Sequence, residues 1–188
     1  MKMKDYRRSY PMFSLCGLNC GLCPIHHMGN GCPGCGGGTG NQPCAIIRCS
    51  LQNGAPEYCF LCARYPCEKY AGITDYDSFL SHRNMRTDFD RAKRIGLPAY
   101  QTELTQKIEI LRTLLARYQA GRQKSFFCTA VSLLPPEDTQ AVMAELSNRI
   151  SPDMPLKEKA AEAVRLFGDM AERRGIDLKL RRKPRKSG

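Results

Sequence analysis

The sequence predicts a mainly α protein with an irregular, metal-stabilised, Cys-rich N-terminal module and a helical C-terminal half. Two observations carry this reading. Ten of the 11 cysteines lie between Cys16 and Cys67. Beyond Cys67, glycine and cysteine give way to stretches with capping residues and apolar side chains at 3.6-residue spacing. The length of 188 residues suits one domain or a small domain with a helical extension, and a hydrophobic content of 42% argues against wholesale disorder. The expected organisation is a basic segment at 1–13, a Cys-rich module at 14–72, a helical region at 73–176 packed on it, and a basic tail at 177–188.

The module is read from its spacings. Cys16, Cys20 and Cys23 form C-x3-C-x2-C, Cys32 and Cys35 form C-x2-C, Cys44 and Cys49 follow, then Cys59 and Cys62 form another C-x2-C before Cys67. Two cysteines two residues apart on a tight turn bring both sulfurs to one point, which suits a tetrahedral ion. All ten are therefore candidate metal ligands. In Cys32-Pro33-Gly34-Cys35-Gly36, Pro33 fixes φ after the first ligand, and the glycines allow the backbone to turn its amides toward the thiolates. Seven of the twelve residues from Gly29 to Gly40 are glycine, a run that reads as a loop pinned by metal. It is no phosphate-binding loop, because no Lys-Ser/Thr follows Gly40 and no apolar strand precedes Gly29. Disulfides are the structural alternative, and they belong to short secreted scaffolds. Ten thiols suffice for two four-cysteine sites with two left over, or for a shared-ligand cluster, and spacing leaves the partition open. His26 and His27, just after Cys23-Pro24, are candidates to complete a site or to support it from outside.

Zinc is the expected metal, with four-iron–four-sulfur clusters as the alternative. C-x2-C pairs serve either, although the ferredoxin run of three cysteines at x2 spacing is absent. The C-x3-C-x2-C triplet looks like the cluster motif of radical S-adenosylmethionine enzymes. Those place it after the first strand of a large α/β barrel, and here the segment before Cys16 is too short. The order Cys16-Gly17-Leu18-Asn19-Cys20-Gly21-Leu22-Cys23-Pro24, then Cys32-x-Gly34-Cys35, Cys44-x-Ile46-x-x-Cys49, Cys59-x-x-Cys62 and Pro66-Cys67 resembles the bacterial and archaeal family catalogued as domain of unknown function 3795. The resemblance covers about residues 14–95. It implies zinc binding and supplies no reaction; the Gly36-Gly40 insertion and the basic tail look particular to this chain.

In the helical region, Thr74 is expected to open a helix to about Met85, and Thr87 another that stops at Gly96. Pro98 sits in the first turn of a long helix ending at Gly121, with Leu104, Ile108, Leu111, Leu115 and Tyr118 on one face. Ser125–Leu134 and Glu137–Ile150 read as shorter helices split by Pro135-Pro136. A last helix follows Asp153 and ends at Gly175, with Leu156, Ala160, Ala163, Phe167 and Met170 as its stripe. Cys128 lies in an apolar run and reads as core, because such surroundings raise a thiol pKa.

The chain carries 29 Lys and Arg against 18 Asp and Glu, a formal charge of +11. Lys2, Lys4, Arg7 and Arg8 and the six basic residues from Lys179 to Lys186 account for most of the excess, so the body is nearly neutral. The 179–186 tail is a candidate contact for an anionic partner, and a nucleic-acid-associated zinc module using it is a second alternative; Arg83, Arg86, Arg91, Lys93 and Arg94 read as a solvated helix face. No stretch approaches the roughly 20 apolar residues of a membrane span. Arg7-Arg8 faintly resembles a twin-arginine signal but lacks the apolar run that must follow. A cytoplasmic location is therefore expected. No catalytic constellation is recognisable, so the expected function is a small metal protein whose metal is mainly structural.

Overall fold

The computed structural model describes residues 6–29, 31–38 and 44–184. Lys2, Lys4, Gly40, Arg185 and Lys186, on which parts of the sequence reading fall, lie outside them. The described residues form six α-helices and no strand: α1 Ala45–Gln52, α2 Met85–Ile95, α3 Leu97–Arg117, α4 Lys124–Leu133, α5 Pro136–Arg149 and α6 Leu156–Arg173. The Cys-rich segment is irregular, with single 3-10 turns at Cys20–Leu22, Cys59–Leu61 and Glu68–Tyr70. The fold is thus mainly helical with an irregular Cys-rich N-terminal segment, as the sequence implies.

Helix α3 is the hub, packing against α2, α4 and α5, while α6 covers α4 and α5. Its inward face is Leu104, Ile108, Leu111, Leu114 and Tyr118, all buried, with Leu115 only partly buried beside them. On α6 the buried residues are Ala160, Ala163, Leu166, Phe167 and Ala171, whereas Leu156, expected to begin the stripe, is 49% exposed at the first residue of the helix. Arg174 closes the α5–α6 pair by donating Nε and Nη2 to the buried Asp138 carboxylate at 2.7 and 2.6 Å.

Two expectations need correction. Residues 74–84 form turns, and the helix begins only at Met85. The Asp77 carboxylate accepts the His82 backbone N–H at 2.8 Å, the Arg181 N–H at 2.8 Å and the Ser81 hydroxyl at 3.2 Å, while His82 Nδ1 lies 2.9 Å from Ile73 O. These side chains capture groups that a helix would need for its own ladder. The basic cluster is also more than a solvated face. Arg83 donates to Asp177 O and Lys179 O, Arg86 to Tyr70 O, and Arg91 pairs with both oxygens of Glu103 at 2.6 and 2.7 Å. Lys93 lies over the Phe60 and Tyr65 rings.

The Cys-rich segment joins the helices through aromatic packing. Phe13 lies 4.6 Å from Tyr100 of α3, 5.1 Å from Tyr58 and 5.5 Å from Phe89 of α2, and Phe60 lies 4.9 Å from Phe89. Such pairs combine large buried area with tilted or edge-on ring geometry worth about 0.5–1.5 kcal/mol each beyond burial. Two glycines of the first cysteine run permit the close approach. A Cβ on Gly17 would come within 2.6 Å of Met85 O, and one on Gly21 would collide with Ile108.

Candidate metal centre

Local backbone geometry sets where each thiol points. Cys20 opens the first 3-10 turn and Cys23 closes it, its N–H donating to Cys20 O at 3.1 Å. Cys59 and Cys62 repeat the turn, with Cys62 N–H to Cys59 O at 3.0 Å, and Cys62 (φ −76°, ψ 133°) matches Cys23 (φ −76°, ψ 134°). Cys35 follows Gly34, whose φ is +90°, and its own N–H donates to Pro11 O at 3.0 Å. Cys44 precedes α1 and Cys49 lies inside it. At 3.6 residues per turn, five residues rotate the side chain by about 500°, so these two sulfurs leave the helix roughly 140° apart and serve different neighbourhoods.

The ten clustered cysteines fall into three neighbourhoods. In the first, Cys35 and Cys44 act electrostatically on Cys16, Cys35 and Cys16 act on Cys20, and Cys44 acts on Cys35. In the second, Cys49, Cys59, Cys62 and Cys67 line one cavity of about 30 Å³, floored by Tyr65 and Tyr70. Cys59 feels Cys16 first, then Cys67 and Cys49, so the two groups adjoin. Cys23 lies near Cys32 and also acts on Cys20, so this third group borders the first. Among the described residues no three or more Cys, His, Asp or Glu side chains are grouped closely enough to hold a metal ion.

Several donors are aimed at the sulfurs. Cys16 Sγ lies 3.1 Å from Ser14 Oγ, and the Leu15 and Ile25 amides face Cys35 and Cys23, while the Leu18, Cys35 and His26 amides donate to Ser14 Oγ, Pro11 O and Cys23 O. In the second quartet, Asn53 Nδ2 lies 3.6 Å from Cys49 Sγ, whereas the Tyr70 hydroxyl beside Cys59 has its one proton on Cys16 O at 3.1 Å. Hydrogen bonds of this kind favour the charged thiolate.

Burial opposes that charge. It pushes the Cys16 thiol up to about 11 and Cys59 up to about 12, and it raises Cys20, Cys35 and Cys23 as well. Left alone, these thiols are protonated at neutral pH. A divalent cation reverses the balance, because a coordinating thiol gives up its proton outright. Thiolates of this kind are ligands that zinc and iron–sulfur clusters take by donor chemistry.

Each histidine places one ring nitrogen on a backbone carbonyl of this segment. His26 Nδ1 is 2.9 Å from Cys32 O, and His27 Nε2 is 2.8 Å from Gly21 O. Cys128 is fully buried in α4, its thiol pushed up to about 12 by burial first and by neighbouring Cys23 second. That agrees with the core role expected of it. Nothing in spacing or composition marks Ser14, Asn53, Tyr70 or Arg8 as neighbours of the sulfurs. Arg8 in particular stood among the terminal charges, yet it is 8% exposed and lies beside Cys35.

No known family matches the chain, and neither a curated protein nor a solved structure matches it.

Proposed function

We propose that this is a small metal-binding protein in which two cysteine quartets each hold one zinc ion, chiefly to fix the fold of the Cys-rich segment. Cys16, Cys20, Cys35 and Cys44 would hold the first ion, and Cys49, Cys59, Cys62 and Cys67 the second. The observation that carries this reading is that Cys49, Cys59, Cys62 and Cys67 line one small cavity, next to the buried thiols of Cys16 and Cys20. Zinc bound this way supplies charge neutralisation and cross-linking. The protein's own residues set the turns, exclude water and hydrogen-bond the thiolates. Metal ligation contributes on the order of 10 kcal/mol or more per structural site, which a glycine-rich segment needs in order to hold one conformation. The motif order also supports placing the chain with the family catalogued as domain of unknown function 3795, and a cytoplasmic location keeps such thiols reduced.

The deciding experiment is elemental analysis with an absorption spectrum on protein purified without oxygen. Colourless protein holding two zinc ions per chain is the expected result. A brown protein with absorption near about 400 nm would assign the quartets to four-iron–four-sulfur clusters and an electron-transfer or enzyme-accessory role instead, since the donors are thiolates alone.

A nucleic acid or another polyanion bound through the tail is a weaker reading. It draws on the exposed Arg182 and Lys183, while Arg181 is tied back to Asp77. Deletion of residues 182–188 should flatten any salt-dependent binding, and unchanged binding would reject it.

A further inference from the structure

We infer that Arg8 is a positioning residue of the first quartet: its guanidinium hydrogen-bonds the Cys35 thiolate and offsets the charge of the four sulfurs. This rests on the two-site reading above. The backbone places Arg8 against the knuckle, because Arg8 N–H donates to Gly36 O at 3.1 Å. Gly36, at φ +76°, leaves the space the arginine stem occupies; a Cβ there would stand 2.7 Å from Arg8 Cγ. The guanidinium is then held on three sides. Nη1 donates to Phe13 O at 2.6 Å, Nη2 donates to Glu57 O at 2.8 Å and meets Glu57 Oε1 at 3.2 Å, and the plane lies 4.6 Å from the Tyr58 ring centroid.

One donor is left over. Arg8 Nε is the single buried side-chain nitrogen or oxygen without a hydrogen-bond partner among the described residues, on a side chain only 1% exposed. Cys35 is the sulfur beside this guanidinium. A buried donor without an acceptor is costly, and a protonated thiol is a poor acceptor. A metal-bound thiolate is a good one. Four thiolates on one zinc leave a net charge of about −2, which a buried site must offset. Arginine suits the task better than lysine, because its fixed fork can hold Phe13 and Glu57 while still presenting Nε.

The test compares wild type with Arg8→Lys and Arg8→Gln. Competition with a chromophoric chelator measures zinc affinity, and Cys44→Ser identifies which of the two release phases belongs to the first quartet. Both Arg8 variants should weaken first-quartet zinc by about 10–100-fold and leave the second quartet unchanged. In the cobalt-substituted protein, the thiolate-to-metal absorption of the first quartet should shift. A role confined to anchoring the N-terminal segment would lower the melting temperature and move neither readout. A measurement on the wild type avoids any folding defect: in cadmium-113-loaded, nitrogen-15-labelled protein, Arg8 Nε–H should couple to the metal through the sulfur. Wild-type affinity in both variants, or no such coupling, overturns the role of Arg8 while the quartets stand. Failure of the wild type to hold metal overturns the quartets themselves, and Arg8's role with them.

Discussion

Asn19, inside the loop between Cys16 and Cys20, donates its Nδ2 to Asp88 Oδ2 on α2 at 2.9 Å, and this bond ties the first cysteine run to the helical core. Asn19 Oδ1 in turn accepts the Tyr100 hydroxyl at 3.0 Å, and Lys107, beside Asp88 electrostatically, donates to Ser132 O and Leu134 O at 3.2 and 2.9 Å. Two buried groups of opposite charge, each within electrostatic reach of the other, thus sit in the seam between the Cys-rich segment and α2, α3 and α4.

That pair is expected to fix the seam rather than stabilise it. Burial is the main cause that raises Asp88 to about 6 and lowers Lys107 to about 8. For Asp88 the folded pKa lies above the unfolded one. The folded state therefore binds the extra proton between about 4 and 6, and stability falls as pH rises through that window. For Lys107 the folded pKa lies below the unfolded one, so stability rises with pH above about 8. Burial therefore makes both charges costly at neutral pH. Asp88→Asn should cost about 3 kcal/mol in urea denaturation at pH 7, because it leaves Lys107 buried without its counter-charge. The joint replacement Asp88→Leu with Lys107→Met should cost much less. A joint cost equal to or greater than the single one would contradict this account.

Chelation at neutral pH is expected to loosen residues 16–67 and to spare most of the helical circular-dichroism signal. Helices α2 to α6 bury their own core, with Leu111, Leu114, Phe127, Val131, Leu146 and Phe167 all inaccessible or nearly so. The Cys-rich segment adds mainly Phe13, Leu22, Tyr58 and Tyr70 to that core. Limited proteolysis before and after complete metal removal checks the point, and unchanged protection of residues 16–67 would contradict it.

Much of the helical half was legible because its stripes are long and its ends are marked. Pro98 and Pro136 stand in the first turns of α3 and α5, and Gly96 and Gly175 follow helix ends, so spacing and punctuation agree. Helix α1 carries no long periodic stripe, because it is only eight residues long, follows Cys44 directly and contains Cys49. The expected helix at 74–85 failed for a different reason: its fate is decided by Arg181, about a hundred residues away, which pairs with Asp77. The ten ligand candidates could be read from spacing, but their sorting could not. It depends on α1 turning Cys44 away from Cys49 and on Pro11 holding the Cys35 amide. Contacts of that range leave no periodic trace in the chain.

The left-over thiols give a direct check on the sorting. Cys23→Ser with Cys32→Ser should leave two metal ions per chain, whereas Cys20→Ser, one turn away, should lose one. Elemental analysis of the folded variants decides the matter. Loss of a metal from the Cys23/Cys32 variant would mean that one of them belongs to a quartet.

Asp77 holds the C-terminal segment in place. Burial raises its pKa, but the His82 and Arg181 amides, Ser81 and the Arg181 charge outweigh burial and hold the carboxyl below its ordinary value of 3.8. A depressed carboxylate contributes stability that is present above the unfolded pKa and lost as pH falls through the folded one, here below about 4. Asp77→Ala removes acceptors from two backbone amides and should cost about 1–3 kcal/mol at pH 7, measured by urea denaturation. The variant's stability should converge on that of the wild type in acid. Because Asp77 N–H also donates to Arg181 O at 2.8 Å, and Arg83 grips Asp177 O and Lys179 O, residues 177–181 should exchange amide hydrogens faster in the variant. An undiminished stability gap below pH 4 would show that the carboxylate's charge is not what holds the segment.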